Sequence, residues 1–172
     1  MQILLDKNNW KKVGNYVAKA QEDKSELKQL VSTLNPGGPK YNYFGFLKYA
    51  NNQLYTCNGN VGGQKDACIQ ILGKDNWNIY QDDNISNITG VGYKDLVCID
   101  YDPLDIKHVF AGGRNGLYEF YDGKFVKHYN HTNSLIEIVG GLQNNAEYEL
   151  VQGIKYDASG NLWLLNSEAP NS

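Results

Sequence analysis

The sequence predicts an all-β protein built from β-propeller blades, and two observations support this class. Aromatic residues and glycine are abundant, with thirteen Tyr, three Trp, five Phe and eighteen Gly among 172 residues. Such a composition is typical of strands joined by tight turns. Three segments also repeat one pattern, an alternating apolar run followed by a polar turn and a second apolar run. They cover residues 44–57, 97–112 and 152–165.

The spacing of these segments indicates the type of β fold. Their second apolar runs begin near Leu54, Val109 and Leu162, 55 and then 53 residues apart. A strand-built repeat of this length is typical of propeller blades, each of which is a four-stranded antiparallel meander. The repeat directs the search for function toward surfaces and away from single catalytic side chains.

Strand and turn signals predict two complete blades and parts of two others. The complete blades lie within residues 42–81 and 96–129, and a third blade starts within residues 148–172. Residues 1–34 are expected to add a strand of a preceding blade, with either a short helix or a long connecting loop over residues 16–31. The hairpin turns carry dipeptides that tolerate positive φ, namely Asn51-Asn52, Asn115-Gly116 and Asp122-Gly123.

This strand count predicts an incomplete propeller, because a closed one needs at least four blades. An open stack of blades would expose apolar sheet faces and strand edges. We therefore expect the remaining blades of a longer polypeptide to cover those faces. Assembly with other chains is the alternative.

Charge and motifs argue against several functional classes. The net charge is −3 and no Lys/Arg-rich run is present, which argues against a nucleic-acid partner. No apolar run is long enough to span a membrane. Because Walker loops, nucleophile elbows and metal-ligand spacings are missing, we expect no enzymatic activity, no cofactor and no metal. A propeller hydrolase with paired carboxylates stays open as a less favoured alternative, since such partners need only meet in space.

The segment from Asp157 to Asn161 contains several oxygen-bearing side chains. Such side chains can bind calcium, but the segment lacks the later bidentate glutamate of a calcium loop. We interpret it as a turn in which the carboxylate of Asp157 caps backbone N–H groups.

The three cysteines suggest one candidate disulfide. Cys57 ends one predicted strand and Cys68 begins the next, with a glycine-rich loop between them. A bridge closing this hairpin is expected if the protein is exported, and two half-buried thiols are the alternative. Cys98 lies in an apolar strand and is expected in the core.

Aromatic side chains near strand ends form the candidate binding surface. Rings with polar tips suit carbohydrate stacking and protein interfaces, although tyrosine also fills blade cores. Arg114, in a glycine-rich turn, is expected to point toward a channel, a partner carboxylate or solvent, and His128 is expected to face outward. The candidate surface residues are Tyr41, Tyr43, Arg114, Tyr118, Tyr121 and Tyr129.

Residues 108–136 carry the most specific pattern in the chain. They read HVFAGGRNGLYEFYDGKFVKHYNHTNSLI, and residues 157–165 read DASGNLWLL. The Gly-Leu-Tyr, the Asp-Gly turn and the later Gly-Asn-Leu-Trp make these segments similar to the two-component regulator propeller repeat of Bacteroidetes proteins. Together with residues 35–59, NPGGPKYNYFGFLKYANNQLYTCNG, they make most of residues 35–172 resemble the N-terminal propeller of PorZ-type proteins of the type IX secretion system.

This resemblance implies an exported protein of the periplasm or outer-membrane surface, although the first residues lack the features of a signal peptide. PorZ-type proteins work with a PorU-type sortase that attaches secreted cargo to anionic lipopolysaccharide, and their propellers have no catalytic centre. The expected partners are a sortase-like protein, or lipopolysaccharide or another glycan at the cell surface. The alternative is the glycan-sensing periplasmic propeller of a hybrid two-component regulator.

Overall fold

The structure is a computed structural model. It describes the backbone of residues 10–13, 16–19 and 28–29, and all atoms of residues 38–74, 76–142 and 148–170. The chain divides into two compact units, one of residues 1–38 and one of residues 39–172.

The first unit contains a three-stranded antiparallel sheet in the order β1-β2-β3. Its strands are β1 (Trp10–Val13), β2 (Tyr16–Lys19) and β3 (Lys28–Gln29). Two of these strands lie inside residues 16–31, so neither the predicted helix nor the predicted loop covers that whole interval. The remaining residues of the interval lie outside the described part of the chain.

The second unit begins with a four-stranded antiparallel sheet in the order β4-β5-β6-β7. Its strands are β4 (Phe46–Ala50), β5 (Gln53–Cys57), β6 (Gln70–Leu72) and β7 (Trp77–Ile79). The hairpin between β4 and β5 turns at Asn51 and Asn52, whose φ angles are 50° and 57°. This is the left-handed conformation that asparagine tolerates better than most residues, as the sequence predicted.

A short helix, α1 (Ile85–Thr89), follows the first sheet and was not predicted from the sequence. Ile85 is buried in the core, and Gly90 ends the helix in the left-handed conformation with its N–H donating to the oxygen of Ser86. Five residues give too short a segment for helical periodicity to show.

A second four-stranded antiparallel sheet follows in the order β8-β9-β10-β11. Its strands are β8 (Leu96–Tyr101), β9 (His108–Gly113), β10 (Gly116–Tyr121) and β11 (Lys124–Tyr129). The predicted Asp122-Gly123 turn forms, and both residues have positive φ. The hairpin between β9 and β10 turns at Arg114 and Asn115, one residue before the predicted Asn115-Gly116, because Gly116 already pairs with Gly113. The last described sheet pairs β12 (Val151–Tyr156) with β13 (Leu162–Asn166).

Two apolar cores lie on opposite faces of the second sheet. Val109 and Ala111 of β9 point into a core shared with the first sheet, whereas Phe110 between them belongs to a core shared with the third sheet. This alternation follows from the two-residue period of a strand. The described part of the chain is thus built almost entirely of antiparallel sheets, which confirms the all-β part of the prediction.

The outer faces of the first and third sheets carry exposed apolar side chains. Leu47 and Tyr49 are exposed on β4, and Trp163 and Leu165 are exposed on β13. Exposed apolar faces of this size commonly mark interaction surfaces, and the incomplete propeller itself stays a prediction.

Candidate functional site

The pair Tyr41 and Tyr43 lies on the surface, where the sequence predicted binding residues. Their rings stack with centroids 5.0 Å apart and an interplanar angle of 16°. The buried amide of Gln70 in β6 fixes the pair, because it accepts from the backbone N–H of Tyr41 (2.9 Å) and donates to the Tyr41 carbonyl (3.2 Å). The Tyr43 hydroxyl donates to the carbonyl oxygen of Asp66 (3.1 Å). The two rings therefore form a fixed platform.

Cationic side chains flank this platform. The Nζ atom of Lys40 lies 5.3 Å from the ring centroid of Tyr41, and that of Lys65 lies 5.7 Å from the centroid of Tyr43. Lys40 also forms an ion pair with Asp82. Burial raises the pKa of Tyr43 to about 12, so its phenol stays neutral at physiological pH.

A cavity of about 220 Å³ opens beside Tyr41. Tyr93 lines it and is almost fully buried, and its hydroxyl has no hydrogen-bond partner among the described residues. Burial raises the pKa of Tyr93 well above its ordinary value, so this hydroxyl is a neutral group able to donate and accept. The cavity is lined by Lys40, Tyr41, Asp66, Ala67, Asp82, Asp83, Ser86 and Tyr93.

This cavity combines an aromatic wall with carboxylates, an ammonium group and hydroxyls. Aromatic faces pack on the apolar faces of sugar rings, and the polar groups can hydrogen-bond to hydroxyls. The arrangement is chemically suited to a small hydroxyl-rich ligand.

Two other residues of the candidate surface are buried, so their prediction as surface binding residues was wrong. The Tyr118 ring lies inside the core, edge-on to Tyr93 with centroids 4.9 Å apart and stacked on His128 at 4.5 Å. His128 is also buried, which corrects the expectation that it faces outward. Its Nε2 lies 2.5 Å from the carbonyl oxygen of Asn115, which can only accept, so Nε2 carries the proton.

Arg114 is the second of these buried residues. Its guanidinium carbon lies 4.3 Å from the ring centroid of Tyr148, and one of its terminal nitrogens lies 3.9 Å from a carboxylate oxygen of Asp95. The fully buried Asp95 accepts from the backbone N–H groups of Gly62, Gln64 and Lys65 at 2.7–3.0 Å. Arg114 thus belongs to a structural network that holds the glycine-rich loop after β5.

The remaining two candidates, Tyr121 and Tyr129, do not line the cavity beside Tyr41. Tyr121 is exposed, whereas Tyr129 is half-buried and donates from its hydroxyl to Glu119 (2.7 Å). The same carboxylate lies 2.7 Å from Nε2 of His108. Sequence analysis missed Tyr93 and Gln70, because a buried hydroxyl and a buried amide leave no distinguishing pattern in a β-rich sequence.

The structure lacks the predicted disulfide, since Cys57 and Cys68 are free and buried. Cys57 belongs to the core that also contains Ala67 and Ile69, whereas Cys68, which lies between those two residues, is not part of that core. Burial raises the pKa of Cys68 to about 12, and that of Cys57 rises still further for the same reason. Cys98 is buried as predicted.

The turn at Asp157 forms as the sequence predicted. Its carboxylate accepts from the backbone N–H groups of Ser159 (2.8 Å) and Asn161 (2.9 Å), and from the indole N–H of Trp163 (3.0 Å). These donors hold the pKa of Asp157 well below its usual range, with the Trp163 bond as the largest cause. Within residues 38–74, 76–142 and 148–170, no group of three His, Cys, Asp or Glu side chains is arranged to hold a metal ion.

Comparison with known proteins gives one informative similarity. No family model matches the chain, and no curated protein matches it. A solved structure of PorZ from Porphyromonas gingivalis, described as an essential bacterial surface component of the type-IX secretion system, is similar with a TM-score of 0.68 and 22% identity. The match covers 87% of this chain and 20% of PorZ, so the chain spans about a fifth of that protein's length. At this identity the similarity establishes the fold.

The described residues contain no helix that is long and apolar enough to cross a membrane.

Proposed function

We propose that this chain is a section of a β-propeller that acts as a non-enzymatic scaffold at a bacterial cell surface, in type IX secretion and the attachment of secreted cargo. The observation that carries the proposal is the similarity in fold to a part of PorZ, a surface component of that system. The repeat-derived resemblance to PorZ-type proteins supports the same context.

The order in which the sheets stack supports the propeller part of the proposal. The first and second sheets share one core and the second and third share the next, so consecutive sheets pack face to face. The first strand of each later sheet, β8 or β12, lies against the sheet before it. Blades placed around an axis pack in this way. Further blades would cover the exposed apolar faces.

The partners in this proposal are a sortase-like protein and lipopolysaccharide or another surface glycan. A surface role can be tested in the source bacterium by deleting the gene and labelling intact cells for secreted cargo. We expect cargo to lose its surface attachment and to regain it when the gene is restored. An epitope-tagged protein should be labelled on intact cells. Cargo that stays attached, with labelling only after permeabilisation, would contradict the proposal.

Glycan sensing is a second candidate, favoured by the platform of Tyr41 and Tyr43 beside the hydroxyl of Tyr93, which has no hydrogen-bond partner among the described residues. A glycan array probed with the purified protein tests it. Tyr41→Ala should abolish any binding at this cavity, whereas Tyr49→Ala, at an exposed tyrosine outside the cavity, should leave it unchanged. Equal binding by both variants would place the glycan elsewhere.

A further inference from the structure

Three sheets of the second unit repeat one arrangement of aromatic residues. In each, a tyrosine near the end of the first strand pairs across the hairpin with an apolar residue, and the residue after that partner is aromatic. The tyrosine pairings are Tyr49 with Leu54, Tyr101 with Val109 and Tyr156 with Leu162. The aromatic residues that follow are Tyr55, Phe110 and Trp163.

Two contacts between neighbouring sheets use this arrangement. Tyr101 of the second sheet stacks on Tyr55 of the first, with centroids 5.7 Å apart and an interplanar angle of 19°. Tyr156 of the third sheet packs against Phe110 of the second, with centroids 6.1 Å apart. At each interface, therefore, the tyrosine of the later sheet packs on the aromatic residue of the sheet before it.

The two ends of this series are open. Tyr49 is 71% exposed on the first of the described sheets of the second unit, and Trp163 is 66% exposed on the last of them. The exposed rings are the two halves of the contact that Tyr101 and Tyr156 complete inside the stack. A sheet that followed the third would place its own tyrosine on Trp163.

Charges alternate along the same series. The residues just before the three tyrosines are Lys48, Asp100 and Lys155. The Nζ atom of Lys48 donates to the buried carboxylate of Asp100 and lies 4.4 Å from the ring centroid of Tyr101. The Nζ atom of Lys155 lies 3.6 Å from the other carboxylate oxygen of Asp100. The charged residue of each sheet thus pairs with an opposite charge on the next sheet.

We propose that the face with Trp163 and Lys155 is a docking surface for another antiparallel sheet, one whose first strand carries an acidic residue followed by tyrosine. The tyrosine packs on Trp163, and the acidic residue pairs with Lys155 as Asp100 pairs with Lys48. A second copy of this chain is a poor occupant, because its exposed strand would bring Lys48 and Tyr49 and place two ammonium groups together. The side chain of Lys155 is 73% exposed and available for such a pair.

This inference rests on the part of the proposed function that concerns further sheets, and not on the role at the cell surface. Its test measures self-association of the purified chain, whereas the test of the surface role measures secreted cargo attached to cells. The two can therefore fail separately.

A series of charge-reversal variants of the chain itself tests this proposal. Lys48→Asp places an acidic residue before Tyr49 on the exposed first strand, which is the sequence that the proposed incoming sheet needs. Lys155→Glu instead gives the docking face a carboxylate that can pair with Lys48 of a second copy. We expect either single variant to associate about tenfold more tightly than the wild type, since a repulsive pair becomes attractive. The double variant restores like charges and should return to the wild-type level. Sedimentation velocity over a range of concentrations measures the association.

Matched variants separate docking from other effects. Lys48→Asn and Lys155→Gln remove the same internal contacts of Asp100 without adding an acidic group, so they should not associate. Lys74→Asp makes the same charge change on an exposed turn and should not associate either. Adding Trp163→Ala to either single reversal should abolish its association. Near-ultraviolet circular dichroism checks that each variant is folded.

Two results would overturn this proposal. One is equal sedimentation of the wild type, both folded single reversals and the double variant, which would show that the charge order does not select the occupant. The other is association that Trp163→Ala leaves intact, which would move the contact to another face. Because Lys155 is far more exposed than Lys48, Lys155→Glu keeps the test decisive if Lys48→Asp does not fold.

Discussion

The second sheet is covered on both faces, whereas the third sheet has an open face, and the same strand pattern behaves differently in the two. Phe110 in β9 is buried, and its counterpart Trp163 in β13, at the same position in the hairpin, is mostly exposed. Both positions carry large aromatic residues. The comparison teaches that the neighbouring sheet, and not the residue itself, decides whether such a position is core or surface.

Removing a large side chain should show the largest difference between covered and open positions, measured as the loss of free energy of unfolding. Phe120→Ala removes a fully buried ring from the core between the first two sheets and should lower the free energy of unfolding by about 3–5 kcal/mol. Leu165→Ala, on the open face of β13, should change it by less than about 0.5 kcal/mol. Urea unfolding followed by tryptophan fluorescence measures both. A cost above about 2 kcal/mol for Leu165→Ala would show that its face is covered.

Ion pairs should show the same contrast at a smaller scale. Asp100 is buried and joins the first and third sheets to the second, so Asp100→Ala leaves Lys48 without its partner and should cost about 3 kcal/mol of unfolding free energy. Lys107→Ala breaks a pair with Asp122 that is 3.5 Å long and exposed on both sides, and should cost less than about 1 kcal/mol. Similar costs in urea titrations would contradict the assigned role of Asp100.

Sequence patterns were sufficient for the strands and turns of the covered sheets but not for the environment of their side chains. Alternating apolar residues and the turns at Asn51 and Asp122 located the hairpins, since local φ preferences fix such turns. The turn between β9 and β10 was placed one residue late, because Gly116 begins the next strand. Tyr118 and Arg114 were assigned to the surface because their burial depends on partners distant in the sequence, Tyr93 for Tyr118 and Tyr148 for Arg114. The cavity beside Tyr41 could not be predicted for the same reason, since its walls come from separate loops.

Acidification should weaken the covered region through His128. Burial lowers the pKa of this histidine below its ordinary 6.5, so the unfolded chain binds a proton at a higher pH than the folded chain does. Stability is then full above about pH 6.5 and falls as the pH decreases toward the lower folded pKa, by at most about 1.4 kcal/mol per pH unit. Urea midpoints between pH 7.5 and 5 measure the slope, and His128→Phe should flatten it. An unchanged slope in that variant would assign the effect to other groups.

The smallest expected effect lies on the open face itself, where Trp163 donates to the exposed carboxylate of Asp157. This bond is the largest cause of the low pKa of Asp157, so Trp163→Phe should raise that pKa toward its ordinary value while the backbone donors of Ser159 and Asn161 keep part of the depression. Carboxyl carbon chemical shifts followed by NMR during an acid titration measure it. If the indole swings away when another sheet docks, the pKa of Asp157 should rise in the associated Lys155→Glu variant too. A pKa that stays low there would show that Trp163 keeps its bond to Asp157 and receives the incoming ring without turning.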